Sequence, residues 1–273
     1  MECLHKILIS RTPPLEPVKV PCGQCIACRL NRASSWAVRI MHEKKTSGDA
    51  CFVTLTYDQE HVPWVSDSQA TLVKRDVQNF LKRLRKELEP AKIRYYLCGE
   101  YGEHGHRPHY HFIIFGLSKV DAERIIPSVW TDGMFHIGDV TFDSAAYVAR
   151  YCTKLLTGPK KKWYEERNII PEFSLMSRKP GIGAKWLELY GNEVKTHHNV
   201  VMKGRKMSPP RYYQDKVYDE MDRRIVRNSI VDKIVAQVKQ ELKDYEVSPT
   251  LPEERVAARE NTILAKLDLR KRN

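Results

Sequence analysis

No apolar run in this chain of 273 residues approaches the length needed to span a membrane. The early stretch Lys6-Ile7-Leu8-Ile9-Ser10 is too short for the core of a secretory signal. No internal repeat is visible, which sets aside solenoid architectures. Acidic residues are the scarcer charge: 34 Asp and Glu stand against 46 Lys and Arg, for a net charge of +12 and a pI of about 9.3. That excess suits a polyanionic partner, nucleic acid foremost. The seven cysteines are odd in number. Without a secretory signal they argue for a reducing compartment, with thiols or metal ligands in place of a disulfide framework. With 42% hydrophobic residues and a mean hydropathy of −0.51, the chain reads as soluble and globular. It is long enough for one large domain or two modest ones.

The first 32 residues read as irregular, because Pro13, Pro14, Pro17 and Pro21 prevent long helices. A short helix is expected over about 33–45 and a β-branched, aromatic strand over Cys51 to Tyr57. Val77, Phe80, Leu81, Leu84 and Leu88 repeat with the helical period and predict a helix from about Lys74 to Leu88. Strands are expected over Ile93 to Gly99, His109 to Phe115 and 134–140, and helices over 119–130 and 143–157. The His109 strand is apolar on both faces apart from its histidines, as a central, covered strand is. The short Gly-rich turn before it makes its pairing with the preceding strand antiparallel. The fold class is therefore α+β, a mostly antiparallel sheet with flanking helices. Further irregular stretches are expected at Gly181 to Gly183 and Met207 to Tyr213. A long amphipathic helix from about Val217 and a second helix over 253–270 make a helical C-terminal region. The expected organisation is a Cys-rich segment 1–45, a core 46–165, and basic loops with C-terminal helices 166–273.

The stretch His109-Tyr110-His111 carries the strongest chemical signal. Alternation on a strand puts both imidazoles on one face, half of a preformed metal site. Glu100 ends the preceding strand, and the turn adds Glu103, His104 and His106. Two imidazoles with the Glu100 carboxylate suit Mg²⁺ or Mn²⁺ with positions open for phosphate oxygens, and Zn²⁺ is chemically possible. Downstream, Tyr147, Tyr151 and Lys154 fall on one helical stripe beside the apolar stripe of Ala145, Val148, Cys152 and Leu155. Asp143 is the expected N-cap. A phenol is a poor nucleophile at neutral pH. A bound cation that polarises a phosphate, and Lys154 favouring phenolate, would overcome this. Together these groups suit phosphodiester cleavage by tyrosine, giving a 5′-phosphotyrosine and a free 3′-hydroxyl.

Cys22, Cys25 and Cys28 follow Pro21 at spacings that suit a structural Zn²⁺. The fourth ligand is Cys3 by preference, with His5 and His42 as alternatives. An iron–sulfur cluster is a minor option. Cys51, Cys98 and Cys152 read as small buried hydrophobes. Basic residues interleave with aromatics at Lys160, Lys161, Lys162, Trp163 and Tyr164, and again at Lys203, Arg205, Lys206, Tyr212 and Tyr213. The cations suit phosphates and the rings suit stacked bases. Arg29, Arg32 and Arg39 are candidates to track a duplex backbone.

These motifs, in this order, resemble the HUH endonucleases that initiate rolling-circle replication. Tyr147-Val148-Ala149-Arg150-Tyr151-Cys152-Thr153-Lys154 is similar to the two-tyrosine motif of microvirus replication initiators. Phe52 to Tyr57 looks like the family's first motif, a structural strand. Pro21 to Arg29 and Met176 to Gly183 resemble the gokushovirus branch. The resemblance covers most of residues 20–215. It implies about five antiparallel strands in an RRM-like core, an ion held by His109, His111 and Glu100, and nucleophiles at Tyr147 and Tyr151. Arg150 stands where relatives often carry lysine, so Arg150 and Lys154 are alternative phosphate contacts. The implied partners are single-stranded and origin duplex DNA, with host replication helicase and polymerase, in the cytoplasm of a bacterial host and away from membranes. A single-strand transposase or relaxase shares this chemistry. A zinc-stapled, non-catalytic DNA-binding protein is the alternative of a different class.

Overall fold

A computed structural model describes residues 3–10, 18–102, 105–151, 161–247 and 252–272. In chain order it begins with strands β1 (Ile7–Ile9) and β2 (Val18–Val20), helix α1 (Ile26–Ser47) and strand β3 (Ala50–Tyr57). A small hairpin follows, β4 (Trp64–Ser66) and β5 (Gln69–Ala70), then α2 (Lys74–Glu87), β6 (Arg94–Tyr101), β7 (Pro108–Phe115) and α3 (Lys119–Val129). Next come β8 (Gly133–Asp139), α4 (Phe142–Tyr151), α5 (Lys162–Glu166), β9 (Phe173–Met176) and α6 (Ala184–His197). The chain continues with β10 (Val200–Met202), β11 (Arg205–Met207), α7 (Arg211–Val217), α8 (Glu220–Val247) and α9 (Pro252–Arg272). It divides into two compact units, Arg32–Tyr190 and a second made of Met1–Asn31 with Gly191–Asn273.

The first unit is built on a five-stranded sheet in the order β8-β3-β7-β6-β9, with every neighbouring pair antiparallel. The His-bearing strand β7 is central, as its apolar character on both faces requires. Alternation splits its residues. Tyr110, Phe112 and Ile114 join one core, with Val53 and Leu55 of β3 and Leu97 of β6. Ile113 and Phe115 join the other, with Tyr96 and Cys98 of β6. Helices α2 and α3 cover the first face: Val77, Phe80, Leu81 and Leu84 of α2 are buried at three- and four-residue spacing, and so are Ala122, Ile126 and Val129 of α3. Each such large side chain removed from water contributes about 1.5–3 kcal/mol. Two phenols stay in this core because they are bonded: the Tyr57 and Tyr110 hydroxyls lie 2.9 Å apart, and Tyr57 donates to Asp76 at 2.6 Å. Burial pushes both phenols far above their ordinary pKa.

The second face is covered by Ala37 and Ile40 of α1 and by Ala145 and Val148 of α4. A buried carboxylate fixes the loop after β9 there. Glu43 of α1 pairs with Arg94 of β6 and accepts the Gly183 N–H at 2.6 Å. Arg94 also donates to the Pro180 carbonyl at 2.8 Å, and Arg39 to that of Ile182 at 3.0 Å. Arg39, expected to track DNA, is thus occupied inside the unit.

In the second unit β1 and β2 pair as one hairpin and β10 and β11 as another. The latter turns through Lys203 and Gly204 with φ of 48° and 72°, the left-handed pair that a tight two-residue hairpin turn demands. Tyr213 is fully buried, so it is not the base-stacking platform expected of it. The start of α8 is capped reciprocally: Asp222 N–H donates to Asp219 at 2.9 Å and Asp219 N–H to Asp222 at 3.0 Å. Among the described residues no helix is long and apolar enough to cross a membrane.

Several boundaries differ from the sequence expectation. Helix α1 begins at Ile26, seven residues before residue 33, because Ile26 to Leu30 contains strong helix formers and no proline. Cys28 therefore sits on a helix rather than on an irregular segment. The region before it contains the β1–β2 hairpin. Periodicity predicts neither strand β9 nor helix α6, and α7 starts inside the segment expected to be irregular. The expected helix 143–157 is seen as Phe142–Tyr151, and its continuation lies outside the described residues.

His42 gives this fold a measurable acid sensitivity. Its ring is 5% exposed and stacks on Trp186 at 3.5 Å. Burial, helped by the nearby Lys45, pulls its pKa down to about 4. The unfolded ring titrates near 6.5, so the neutral ring's contribution is complete above that pH and is lost as pH falls toward 4. Urea unfolding at pH 7 and pH 4.5 should show a smaller loss of stability in His42→Phe than in the parent. Equal losses would exclude His42 as the acid-sensitive group.

Candidate functional site

The β3–β7–β6 register assembles the site. His109 is the cross-strand partner of Glu100 and of Thr56. His111 is the partner of Thr54. His109, His111, Glu100, Thr54 and Thr56 therefore share the sheet face on which α4 packs. The His111 Nε2 lies 2.8 Å from Glu100 Oε1, both side chains nearly buried. His111 Nδ1 lies 2.9 Å from Thr54 Oγ1, and His109 Nδ1 lies 3.3 Å from Thr56 Oγ1. Gly102 leaves room for the His109 ring, since a Cβ there would come within 2.8 Å of Nε2. Burial pulls the His109 pKa down, with His111 and Arg107 adding to the effect and Glu100 opposing it. A neutral imidazole keeps a lone pair for a cation. Two imidazoles and one buried carboxylate on one face form a donor set that fits a divalent ion with open positions.

The tyrosine helix adjoins this set. Tyr147 is 37% exposed, and its ring packs edge-on against His111 with centroids 5.4 Å apart. Phe52, Thr54, His111, Asp143, Ser144, Tyr147 and Arg150 line a cleft of about 420 Å³. Thr141, and not Asp143, caps α4: Ser144 N–H donates to Thr141 Oγ1 at 3.1 Å, and Thr141 N–H donates to Ser144 Oγ at 2.8 Å. Thr141 wins because it sits one residue before the helix with a matching hydroxyl three positions on, the reciprocal box that Asp143, already inside the first turn, cannot form. Ala145 and Val148 are buried as the apolar stripe requires. The Tyr151 side chain, Cys152, Lys154, Leu155 and Lys160 lie outside the described residues, as do Glu103 and His104. His106 faces away to Trp163, at 5.8 Å between ring centroids.

A second donor cluster is separate in kind. The ligand atoms of Cys3, Cys22, Cys25 and Cys28 all lie within 4.8 Å of one another. Cys3 Sγ is 3.6 Å from Cys22 Sγ and 3.8 Å from Cys25 Sγ. Four sulfurs held tetrahedrally at about 2.3 Å from one ion lie about 3.8 Å apart, so the cluster could hold a metal such as zinc. Backbone N–H groups already point at sulfur: Cys22 donates to Cys3 at 3.2 Å and Cys25 to Cys22 at 3.3 Å. Burial raises the Cys25 thiol, but hydrogen bonds from Cys28 and Leu4 backbone and from neighbouring thiols bring it down to about 6. Burial and the Cys3 hydrogen bond push Cys28 up to about 12. The fourth cysteine is thus Cys3. His5 instead lies 3.9 Å from Glu260, and His42 is stacked on Trp186.

Of the residues expected at nucleic acid, Lys203, Arg205 and Lys206 are exposed on the β10–β11 hairpin. Lys161 is exposed and pairs with Glu165 at 3.2 Å, and Lys162 is exposed at the start of α5. Arg150 lines the cleft. Trp163 is packed edge-on against Tyr101 and Tyr164. Arg29 donates to the Gln24 carbonyl at 2.7 Å. Sequence reasoning does not single out Thr54, Thr56, Gly102 or Thr141. The alternation of threonine along β3 is the available signal for the first two.

Comparison with known proteins bears on the same region. The model of the replication-associated protein ORF2 family matches residues 50–156. The chain is 36% identical over 217 residues to replication-associated protein VP4 of Bdellovibrio phage phiMH2K, covering 71% of this chain and 66% of that protein. It is 33% identical over 223 residues to replication-associated protein ORF2 of Spiroplasma virus 4, covering 74% and 68%. To replication-associated protein ORF4 of Chlamydia phage 1 it is 24% identical over 223 residues, covering 72% and 53%. The chain thus spans about two thirds of the length of the first two relatives and about half of the third. No solved structure matches it.

The cap on α4 can be tested directly. Thr141→Ala should cost about 1 kcal/mol of stability and speed amide exchange at the start of α4. Unchanged exchange there would mean that the helix, and Tyr147 with it, is held by packing alone.

Proposed function

This chain belongs to the replication-associated protein ORF2 family, and from that premise we propose that it is a rolling-circle replication initiator. In this reading it nicks one DNA strand at a phage origin by tyrosine attack and later rejoins it. The observation that carries the proposal is the meeting of His109, His111 and Glu100 on one sheet face with Tyr147, whose ring lies 5.4 Å from that of His111. The net charge of +12 supports a polyanionic substrate.

His109, His111 and Glu100 would hold one Mg²⁺ or Mn²⁺. When bound, that ion supplies polarisation of the scissile phosphate and stabilises the charge of the transition state. The Tyr147 oxygen attacks phosphorus, the bond from phosphorus to the 3′-oxygen breaks, and the phenolic proton ends on that oxygen through solvent. The products are a 5′-phosphotyrosine and a 3′-hydroxyl, so the ester is conserved for rejoining. Arg150, in the cleft wall, and Lys154 are the cations assigned to the phosphate. Tyr151, one helical turn on, is assigned as the second phenol that attacks while the first is occupied. Tyr57 and Tyr110 take no part, because both are buried and bonded to each other.

The catalytic segment is assigned to 46–165, with the Cys-rich 1–45 and the region 166–273 as its flanks. Cys3, Cys22, Cys25 and Cys28 are assigned to a structural Zn²⁺ that folds the N-terminal segment. The exposed Lys161, Lys162, Lys203, Arg205 and Lys206 are assigned to phosphates of single-stranded and origin duplex DNA. Rolling-circle synthesis then calls for a host helicase and polymerase, and places the protein in the cytoplasm of the bacterial host.

The decisive experiment incubates the full chain with labelled single-stranded DNA from the phage's own origin region and Mn²⁺. A covalent protein–DNA adduct that survives denaturation is expected. His109→Ala should lower its rate by about 100-fold or more. Tyr147→Phe with Tyr151→Phe should abolish it, while each single variant keeps some first cleavage and loses more of the strand-closing step. An adduct mapped to another residue, or tight binding with no adduct in any condition, would overturn the mechanism in favour of a DNA-binding protein. Separately, elemental analysis should find one tightly held zinc per chain that Cys25→Ser loses with a lower melting temperature. A zinc-free protein of unchanged melting temperature would remove the staple.

A further inference from the structure

The second face of β3 changes character along its length. Ala50 and Phe52 pack against the core under α1 and α4, and then Thr54 and Thr56 put hydroxyls on the same face. A strand needs only β-branched shape at such positions, and valine or isoleucine would supply it. The hydroxyls stand at the two positions paired with the histidines: Thr54 with His111 and Thr56 with His109.

We infer that Thr54 and Thr56 are positioning residues for the two imidazoles, so that β3 is a working part of the ion site. The inference rests on the metal reading proposed above. Both rings lie across the sheet in the same sense. Each turns Nδ1 to β3, where the hydroxyls lie 2.9 Å from His111 and 3.3 Å from His109. Each turns Nε2 toward β6 and its turn: His111 Nε2 is 2.8 Å from Glu100, and His109 Nε2 overlies Gly102. A neutral imidazole carries one proton, on one nitrogen or the other. If Nδ1–H donates to the threonine hydroxyl, Nε2 is left with its lone pair on the side where the carboxylate sits. The hydroxyl thereby selects the tautomer and the ring angle that a cation shared with Glu100 requires. Threonine is suited to this, since its branched Cβ restricts χ1 and keeps the hydroxyl in place without a further partner.

The test uses the full chain and Mn²⁺ as probe. Calorimetric titration compares the parent with Thr54→Val, Thr56→Val and the matching serine variants, with thermal unfolding recorded for each. The expected result is about 10- to 100-fold weaker Mn²⁺ binding in each valine variant, an unchanged melting temperature, and affinity restored in the serine variants. A second readout on the metal-free protein follows ¹⁵N imidazole shifts. His109 should carry its proton on Nδ1 in the parent and shift toward the Nε2–H form in Thr56→Val. Valine variants that bind Mn²⁺ as the parent does would overturn the inference and leave the metal reading standing. Serine and valine variants that are equally weak would also overturn it, because packing and not the hydroxyl would then matter. A parent protein that takes up no Mn²⁺ would remove both together.

Discussion

The register of β7 between β3 and β6 is the constraint on which the rest of the site depends. Side chains alternate with a period of two, so a slip of one residue would send both histidines into the α2–α3 core and bring Tyr110 and Phe112 out. The core forbids that slip. Tyr110, Phe112 and Ile114 are fully buried on one face, and the Tyr110 hydroxyl is locked to Tyr57 and to the Val73 N–H at 2.7 Å. The apolar face thus sets the polar face, at no cost to the histidines themselves.

Glu100 and the imidazoles illustrate why a central strand is a good place for such chemistry. A buried carboxylate without a partner is expensive, and here His111 provides one. The neighbours are strands, whose positions vary less than those of loops, so the donor atoms are held in place before any ligand arrives. The helix that presents Tyr147 is fixed from two sides, by the reciprocal cap at Thr141 and Ser144 and by Ala145 and Val148 against the sheet. Only its outer edge is left to face the cleft.

The cysteine cluster solves a different problem. Residues 3–28 hold little apolar side chain to bury: Ile7, Leu8 and Ile9 of β1 are all exposed. Four thiolates about 4 Å apart would repel one another by about 4 kcal/mol per pair at an effective dielectric near 20. A divalent ion reverses that sign and ties Cys3 to Cys22 across the open end of the β1–β2 hairpin.

The sequence by itself determined the strands and helices that alternate or repeat strongly: β3, β6, β7, α2, α3 and β8 lie within a residue or two of where the periodicity puts them. It determined that His109 and His111 share a face, that β7 is central and that Cys51 and Cys98 are buried, because these follow from local alternation and composition. Weakly patterned elements escape it. Strand β9 has four residues, too few for a period to show, and α1 begins earlier than Trp36, Ile40 and Met41 indicate. Tertiary structure alone decided which groups meet. Glu100 lies against His111, where sequence offered Glu103, His104 and His106 beside it. Thr54 and Thr56 bond to the imidazoles, and Cys3, not His5 or His42, completes the thiol cluster. Tyr213 and Arg39, legible as nucleic-acid contacts, are spent on the interior. Each of these outcomes depends on strand register or on distant parts of the chain closing on one another. Such contacts are set by the packing of distant segments, and no local pattern of residues records them.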